Sequence, residues 1–352
     1  MFRLTQLDFS RVCLLFLWDF IVLTTVDQSF AHRVLIVDDE PIVDEEKIFK
    51  QSQRIRELEL KNAQFEEELL FLRKDRQERI EDTLKKIGLR PDTDIEIVNS
   101  KDSDKSEEYA DFLYKRLQRK GYLRRDCLRM VNNDRNIFSS CMTSLGHADA
   151  MITGTTRNYS LALEDITQVI DPINNKRIVG ISAMVSGPRT VLVADTNVHD
   201  MPSAEEIADI AEAGAELARR LGFVPRVALL AYSSFGYPEG ERSTFMREAV
   251  NILDKRNTNF EYDGEMAADV ALNPKAMELY PFCRLSGPAN VLIMPAIHSA
   301  SISTKLLQEL GGSNLVGPML VGLSKPIQII PTGSRVSEII NLAAIAACDL
   351  GR

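Results

Sequence analysis

The sequence predicts an α/β fold in which mainly parallel sheets carry helices on both faces. Two observations predict it. Short β-branched runs recur through the last three quarters of the chain, and amphipathic helical stretches separate several of them. The runs are Ile95 to Val98, Ala150 to Thr153, Ile178 to Met184, Thr190 to Ala194, Val227 to Leu230, Asn290 to Met294 and Ile327 to Ile330. Each is too short for a core helix and rich enough in Val and Ile for a buried strand.

The clearest helix begins after Ser203. Ser203 and Glu206 have capping-box spacing. Ile207, Ile210, Ala211, Gly214, Leu217, Ala218 and Leu221 recur at helical spacing on one face, and Gly222 marks the stop.

The N-terminal quarter has a different texture. Residues 1–44 read as an atypical leader. Val12 to Val26 is mostly apolar but holds Asp19, and it is shorter than the roughly 20 residues that span a bilayer. Ser29-Phe30-Ala31 loosely resembles a signal cleavage site. The expected location is nonetheless cytoplasmic, because of Asp19 and the domain that follows.

His32 to Pro41 reads as a hydrophobic strand with an acidic end, like the opening strand of a response-regulator receiver domain. The charged helical sequence after it completes no receiver. From 45 to 72, Ile48, Ile55, Asn62 and Leu69 recur every seven residues, with Leu58, Phe65 and Leu72 at complementary positions. That pattern fits a short coiled coil or an amphipathic helix packed on its own domain.

The chain has 352 residues, 45% of them hydrophobic and 26% charged, so it can bury a core without disulfides or metals. The net charge of −9 argues against general nucleic-acid binding, which needs a basic face. Cys13, Cys127, Cys141, Cys283 and Cys348 are scattered, with no CxxC, and are read as reduced thiols. The histidines, His32, His147, His199 and His298, form no ligand pair, so no metal site is expected. There is no GxxxxGK[ST], GxGxxG or GxSxG.

Ligands of open α/β sheets bind beyond the carboxyl ends of the strands. Polar loops follow three of the runs: Thr153-Gly154-Thr155-Thr156-Arg157, Ala231 to Gly236, and Pro331-Thr332-Gly333-Ser334-Arg335. Their amides, hydroxyls and arginines favour an anion. Thr155, Arg157, Ser233, Ser234, Ser334 and Arg335 are therefore the candidate ligand residues. Asp195-Thr196-Asn197 ends a further strand, and Asp263, Glu265 and Asp269 form an acidic cluster. Such carboxylates serve as bases, metal ligands or caps.

Taken in order, several stretches resemble the phosphotransacetylase (phosphate acetyl/butyryl transferase) family. They are Ala148 to Gly154, Ala194 to Val198, Arg226 to Ser233, Asp263 to Met266 with Asp269, Ala289 to Pro295 and Gly317 to Pro326. Within the family the chain is most similar to the C-terminal domain of bacterial NADP-dependent malic enzymes. The resemblance implies two αβα subdomains with mainly parallel sheets and a cleft for acetyl-CoA or CoA between them. The helical or coiled segment precedes them. Subdomain I would hold 73–163 plus 318–352 and subdomain II 164–317. It also implies a dimer and a malate-oxidising half elsewhere.

Two departures bear on chemistry. Active transferases carry a Ser-Arg pair before the last helix, and those positions here are Pro331 and Thr332. Proline offers no hydroxyl and threonine no guanidinium fork. After Met294-Pro295, Ala296-Ile297-His298 and Ser301 replace the family's Asp-Leu-Asp and Asn, while Lys305 and Leu306 still match. The expectation is a regulatory acyl-CoA-binding domain without transferase activity. The alternatives are an active phosphate acetyltransferase, with Arg335 or Arg157 replacing the missing arginine, and a ligand-free dimerisation module.

Overall fold

The computed structural model describes residues 12–14, 78, 80–83, 85–86, 88, 97–187 and 189–349. The acidic strand His32 to Pro41 and the heptad segment 45–72 lie outside the described residues. Of the expected strand Ile95 to Val98, the described Ile97 and Val98 belong to no strand.

In chain order the elements are β1 (Val12–Leu14), α1 (Ser106–Leu117), α2 (Arg124–Asn133), α3 (Arg135–Ser144), β2 (Ala150–Gly154) and α4 (Tyr159–Thr167). Next come β3 (Val179–Ser186), β4 (Arg189–Ala194), α5 (Ala204–Arg220), β5 (Arg226–Leu230), α6 (Glu241–Arg256), β6 (Glu261–Met266), α7 (Ala268–Leu272) and α8 (Pro274–Met277). The last are β7 (Val291–Ile293), α9 (Ile297–Gly311), β8 (Asn314–Val321), β9 (Ile327–Ile330) and α10 (Val336–Cys348).

The strands form a small sheet, ordered β1-β2-β9, and a larger one, ordered β6-β5-β7-β4-β3-β8. The small sheet is parallel throughout. In the larger one β6, β5, β7 and β4 are parallel, while β3 runs against both β4 and β8. The fold is therefore α/β with mostly parallel sheets. β8 stays in the larger sheet to Val321, where it pairs with Val179, and the small sheet resumes at Ile327. The chain thus crosses back a few residues after the 317/318 border read from the sequence. Gln328 locks the crossing, its side chain accepting from the Leu320 amide (2.8 Å) and donating to the Leu320 carbonyl (3.1 Å).

Period-two side-chain alternation explains why every residue of β2 is buried. Ala150 and Ile152 face a core shared with α5, α6 and the larger sheet. Met151 faces a second core built from α1 to α4. β9 divides the same way, Ile330 to the first core and Ile327 and Ile329 to the second. Burying each of these Ile and Met side chains contributes about 1.5–3 kcal/mol. Gly154 lies at φ +118°, and a Cβ there would overlap the Ile330 carbonyl, so glycine is what lets β2 close onto β9.

α5 forms as its sequence indicates. The Ser203 hydroxyl accepts from the Glu206 amide (3.3 Å) and Glu206 accepts from the Ser203 amide (2.8 Å). Its apolar stripe is buried through Ala218, but Leu221, at the C-cap, is exposed rather than on the core face. Cys127, Cys141, Cys283 and Cys348 are free thiols. Burial pushes the Cys141 thiol up to about 12, which keeps it protonated. Among the described residues no helix is long and apolar enough to cross a membrane.

Candidate functional site

Asp195 directly follows β4 and is almost completely buried. One carboxylate oxygen, Oδ1, accepts from the amides of Gly180 (3.1 Å), Asn197 (2.9 Å) and Val198 (3.2 Å). The other, Oδ2, accepts from the His199 amide (2.9 Å) and meets His199 Nδ1 at 2.6 Å. Read at the sequence level as a strand-end acid, Asp195 is a cap that folds the turn after β4 around itself and fixes an imidazole ring. Thr196 adds a hydroxyl contact to Ser182 (3.0 Å) and one to the Gly180 carbonyl (3.1 Å).

This turn borders a cavity of about 630 Å³ at the carboxyl edge of the larger sheet. Asn197, Val198 and His199 line one side, and Ser160, Leu163, Glu164 and Thr167 of α4 line another. Because α4 packs into the core of the small sheet, the cavity sits where the two layers meet. Lys176 and Arg177 also line it, each already paired. Lys176 reaches Glu216 (2.7 Å), and Arg177 reaches Glu206 (2.9 Å) and Asp209 (2.6 Å). Nearby, the Tyr159 hydroxyl is buried and has no hydrogen-bond partner among the described residues. Burial and the charge of Asp195 push its pKa up, so it remains a phenol with an unused donor.

The six ligand candidates lie elsewhere and do not converge. Thr155, at φ +67°, donates its amide to the Ile330 carbonyl (3.0 Å). Arg157 is held by Asp134 (2.6 Å) and Asp165 (3.0 Å). Asp134 in turn caps α3, accepting from the amides of Asn136 and Ile137. An incoming anion would have to displace both carboxylates from Arg157, so its charge serves the fold. Buried Ser233 donates to Ser243 (2.8 Å), and Ser234 accepts from the Ala267 amide (3.0 Å). The Ser334 amide donates to the Pro331 carbonyl (3.3 Å). Arg335 is exposed, stands at the N-cap of α10 and borders a second cavity of about 590 Å³.

Strand order explains the dispersal. Ile181 pairs with both Ala194 and Met319, so the ends of β4 and β8 are level. The start of α10 instead shares a cavity with Asn314, Leu315 and Val316, at the start of β8. The loops after β2 and β9 therefore sit at the opposite edge from those after β4 and β5. The four strand steps from β5 to β8 add about 19 Å at ~4.8 Å each.

Within the acidic cluster, Asp263 and Glu265 are structural. Asp263 accepts from the amides of Gly264 (2.9 Å) and Arg284 (2.7 Å). Glu265 has no exposure, accepts from the Gly236 amide (2.8 Å) and pairs with Arg247 (3.0 Å). Sequence reasoning missed His199, Tyr159, Lys176 and Arg177. An Asp and a His four apart at a strand end was the signal present for His199.

Two sheets that share a core, with a cavity at their junction, define a class of α/β protein, and comparison with known proteins gives the family. The family model "Phosphate acetyl/butaryl transferase" matches residues 44–347, and the chain belongs to that family. Among curated proteins it is 61% identical over 277 residues to an NADP-dependent malic enzyme of Rhizobium meliloti (strain 1021), covering 78% of this chain and 36% of that protein. It is 48% identical over 285 residues to a probable NADP-dependent malic enzyme of Rickettsia prowazekii (strain Madrid E), covering 78% and 37%. The chain thus spans little more than a third of these relatives. Among solved structures, a phosphotransacetylase from Streptococcus pyogenes superposes with a TM-score of 0.72 at 27% identity, covering 78% of this chain and 83% of that one.

Proposed function

We propose that this chain is the acyl-CoA-binding regulatory part of an NADP-dependent malic enzyme (oxaloacetate-decarboxylating), without transferase activity of its own. It acts in the cytoplasm as a homo-oligomer, joined to a malate-oxidising half. The observation that carries the reading is a scaffold that superposes over 83% of a phosphotransacetylase chain while Pro331 and Thr332 stand where the resemblance places the serine and arginine of active members. A transferase needs fixed donors or a cation aimed at the developing oxyanion. A binding module needs only the pocket.

The junction cavity, at about 630 Å³, has the size of a small-molecule site. Its wall offers Asn197, the imidazole of His199 held by Asp195, and the apolar Leu163 and Val198. Acetyl-CoA or CoA is the ligand class this reading assigns. Isothermal titration with acetyl-CoA tests it. Saturable binding that weakens in His199→Ala is the expected result, and no heat up to millimolar ligand sinks the reading.

A second reading, an active phosphate acetyltransferase, is favoured by Arg335, an exposed guanidinium on the rim of the second cavity. A coupled assay for acetyl phosphate formation separates the two. Turnover that Arg335→Ala abolishes would replace the regulatory reading with this one.

A further inference from the structure

Two cations stand side by side on the wall of the junction cavity, Lys176 and Arg177, and they are held very differently. Arg177 spreads its guanidinium over two carboxylates, Glu206 (2.9 Å) and Asp209 (2.6 Å). Those carboxylates have further partners. Glu206 accepts from the Ser203 amide (2.8 Å) at the start of α5, and Asp209 also pairs with Arg256 (2.7 Å). An anion that drew Arg177 away would break a connected network, so its charge is committed to the fold.

Among the described residues Lys176 has a single ion pair, to Glu216 (2.7 Å), and both side chains are about half exposed (53% and 52%). A surface pair of this kind opens at a cost of about fivefold or less in population. Its direction matters as well. Asp209 lines the cavity, whereas Glu216 lies seven residues further along α5 and is not part of the wall. At 1.5 Å of rise per residue that is about 10 Å. Glu216 therefore draws the Lys176 ammonium along α5 and away from the space it borders. Of the other charges on the wall, Asp209 is matched by Arg177 and Arg256, and Glu164, on the α4 side, is exposed. Lys176 is thus the wall cation that a ligand recruits with least loss to the fold.

We infer that Lys176 is the phosphate-binding side chain of the junction cavity and that Glu216 is its built-in competitor. The ammonium leaves Glu216 when a phosphate-bearing ligand enters. This deepens the acyl-CoA reading above and rests on it. A lysine suits the task, because its ammonium is a compact charge on a flexible four-carbon stem and follows a phosphate without fixed geometry. The competition also sets the affinity. A ligand that must first open the pair binds more weakly than it would to the open form, in proportion to the fraction of open pairs.

Isothermal titration of the full chain with acetyl-CoA, run as a double-mutant cycle, tests it. Lys176→Ala should weaken binding about tenfold or more, the loss of one charge-assisted contact. Glu216→Gln should strengthen it about two- to fivefold, because the ammonium is no longer withheld. In the Lys176→Ala background, Glu216→Gln should bring no such gain. Both positions are exposed, and circular dichroism melting checks that each variant is folded.

A wild-type chain that gives no heat up to millimolar acetyl-CoA overturns the ligand reading and this inference together. Binding that Lys176→Ala leaves within about twofold overturns the inference and leaves the cavity reading standing. A Glu216→Gln chain that binds no better than wild type overturns the competition. So does a gain that survives in the Lys176→Ala background, since it would come from the field of the carboxylate and not from a released lysine.

Discussion

Removing the carboxylate of Asp195 should damage the fold in graded steps that its two oxygens dictate. Oδ1 serves three amides and Oδ2 serves the amide and ring of His199. In Asp195→Asn the amide oxygen replaces Oδ1 and keeps the Gly180, Asn197 and Val198 bonds. The NH₂ then faces the His199 amide, donor against donor. One buried charge-assisted bond is lost and the ring must change tautomer, at a cost of about 2–3 kcal/mol. Asp195→Ala strands all four amides in a buried turn and should cost about 4–6 kcal/mol, since these bonds are not additive. His199→Ala removes one partner and leaves the amides capped, at about 1 kcal/mol. Urea unfolding with an unchanged m-value reads all three. The reasoning fails if Asp195→Ala lies within about 1 kcal/mol of wild type, or if His199→Ala proves the most damaging.

Further expectations follow from the fold. Gly154→Ala forces a side chain into the left-handed region against the Ile330 carbonyl and should lower stability by about 3 kcal/mol in the same urea assay. Arg157→Ala leaves Asp134 and Asp165 without their shared cation. It should cost about 1–2 kcal/mol, reduced by solvent screening at this partly exposed site, with acetyl-CoA affinity by titration unchanged. The Arg116 guanidinium holds Asp171 below its ordinary pKa, as Arg284 does for Asp254 and the Ser203 amide does for Glu206. Each such carboxylate gives stability that is present above its unfolded pKa and lost as pH falls through the folded one. The urea midpoint should therefore be level between about pH 6 and 8 and fall below about pH 4. Asp165, raised by burial, works in the opposite sense, so Asp165→Asn should steepen that acid decline.

The strands legible in the sequence were those whose burial writes itself in Val and Ile. Ala150–Gly154, Arg226–Leu230 and Ile327–Ile330 lie within a residue of where their β-branched runs stand. β6 was read as an acidic cluster because Glu261 to Met266 carries its carboxylates inward, satisfied by the amides of Gly236 and Arg284 and by Arg247. Composition cannot show such partners in advance. β8 was not read as a strand from its residues, because Gly317-Pro318 interrupts its apolar run. The site was harder. Strand-end loops are polar whether or not they hold a ligand, and their convergence depends on strand order. That order puts Ser233 and Arg335 at opposite edges. The cavity wall at Lys176 to Ile178 comes from a connecting segment with no motif, and it became visible only when α4 packed beside it.

The small sheet also sets a timetable for synthesis. β2 and β9 are neighbours in space, yet roughly 170 residues separate them, and a ribosome adding about 5–20 residues per second takes on the order of 10–35 s to deliver the second after the first. During that interval β2 has an open edge where β9 will lie, and Ile152 and Met151 lack part of each core. The larger sheet, all of whose strands emerge before β9, can assemble in the meantime and present the surface onto which β9 and α10 close last. A chain cut before Ile327 would be left at that waiting stage, with β2 still unpaired on that side.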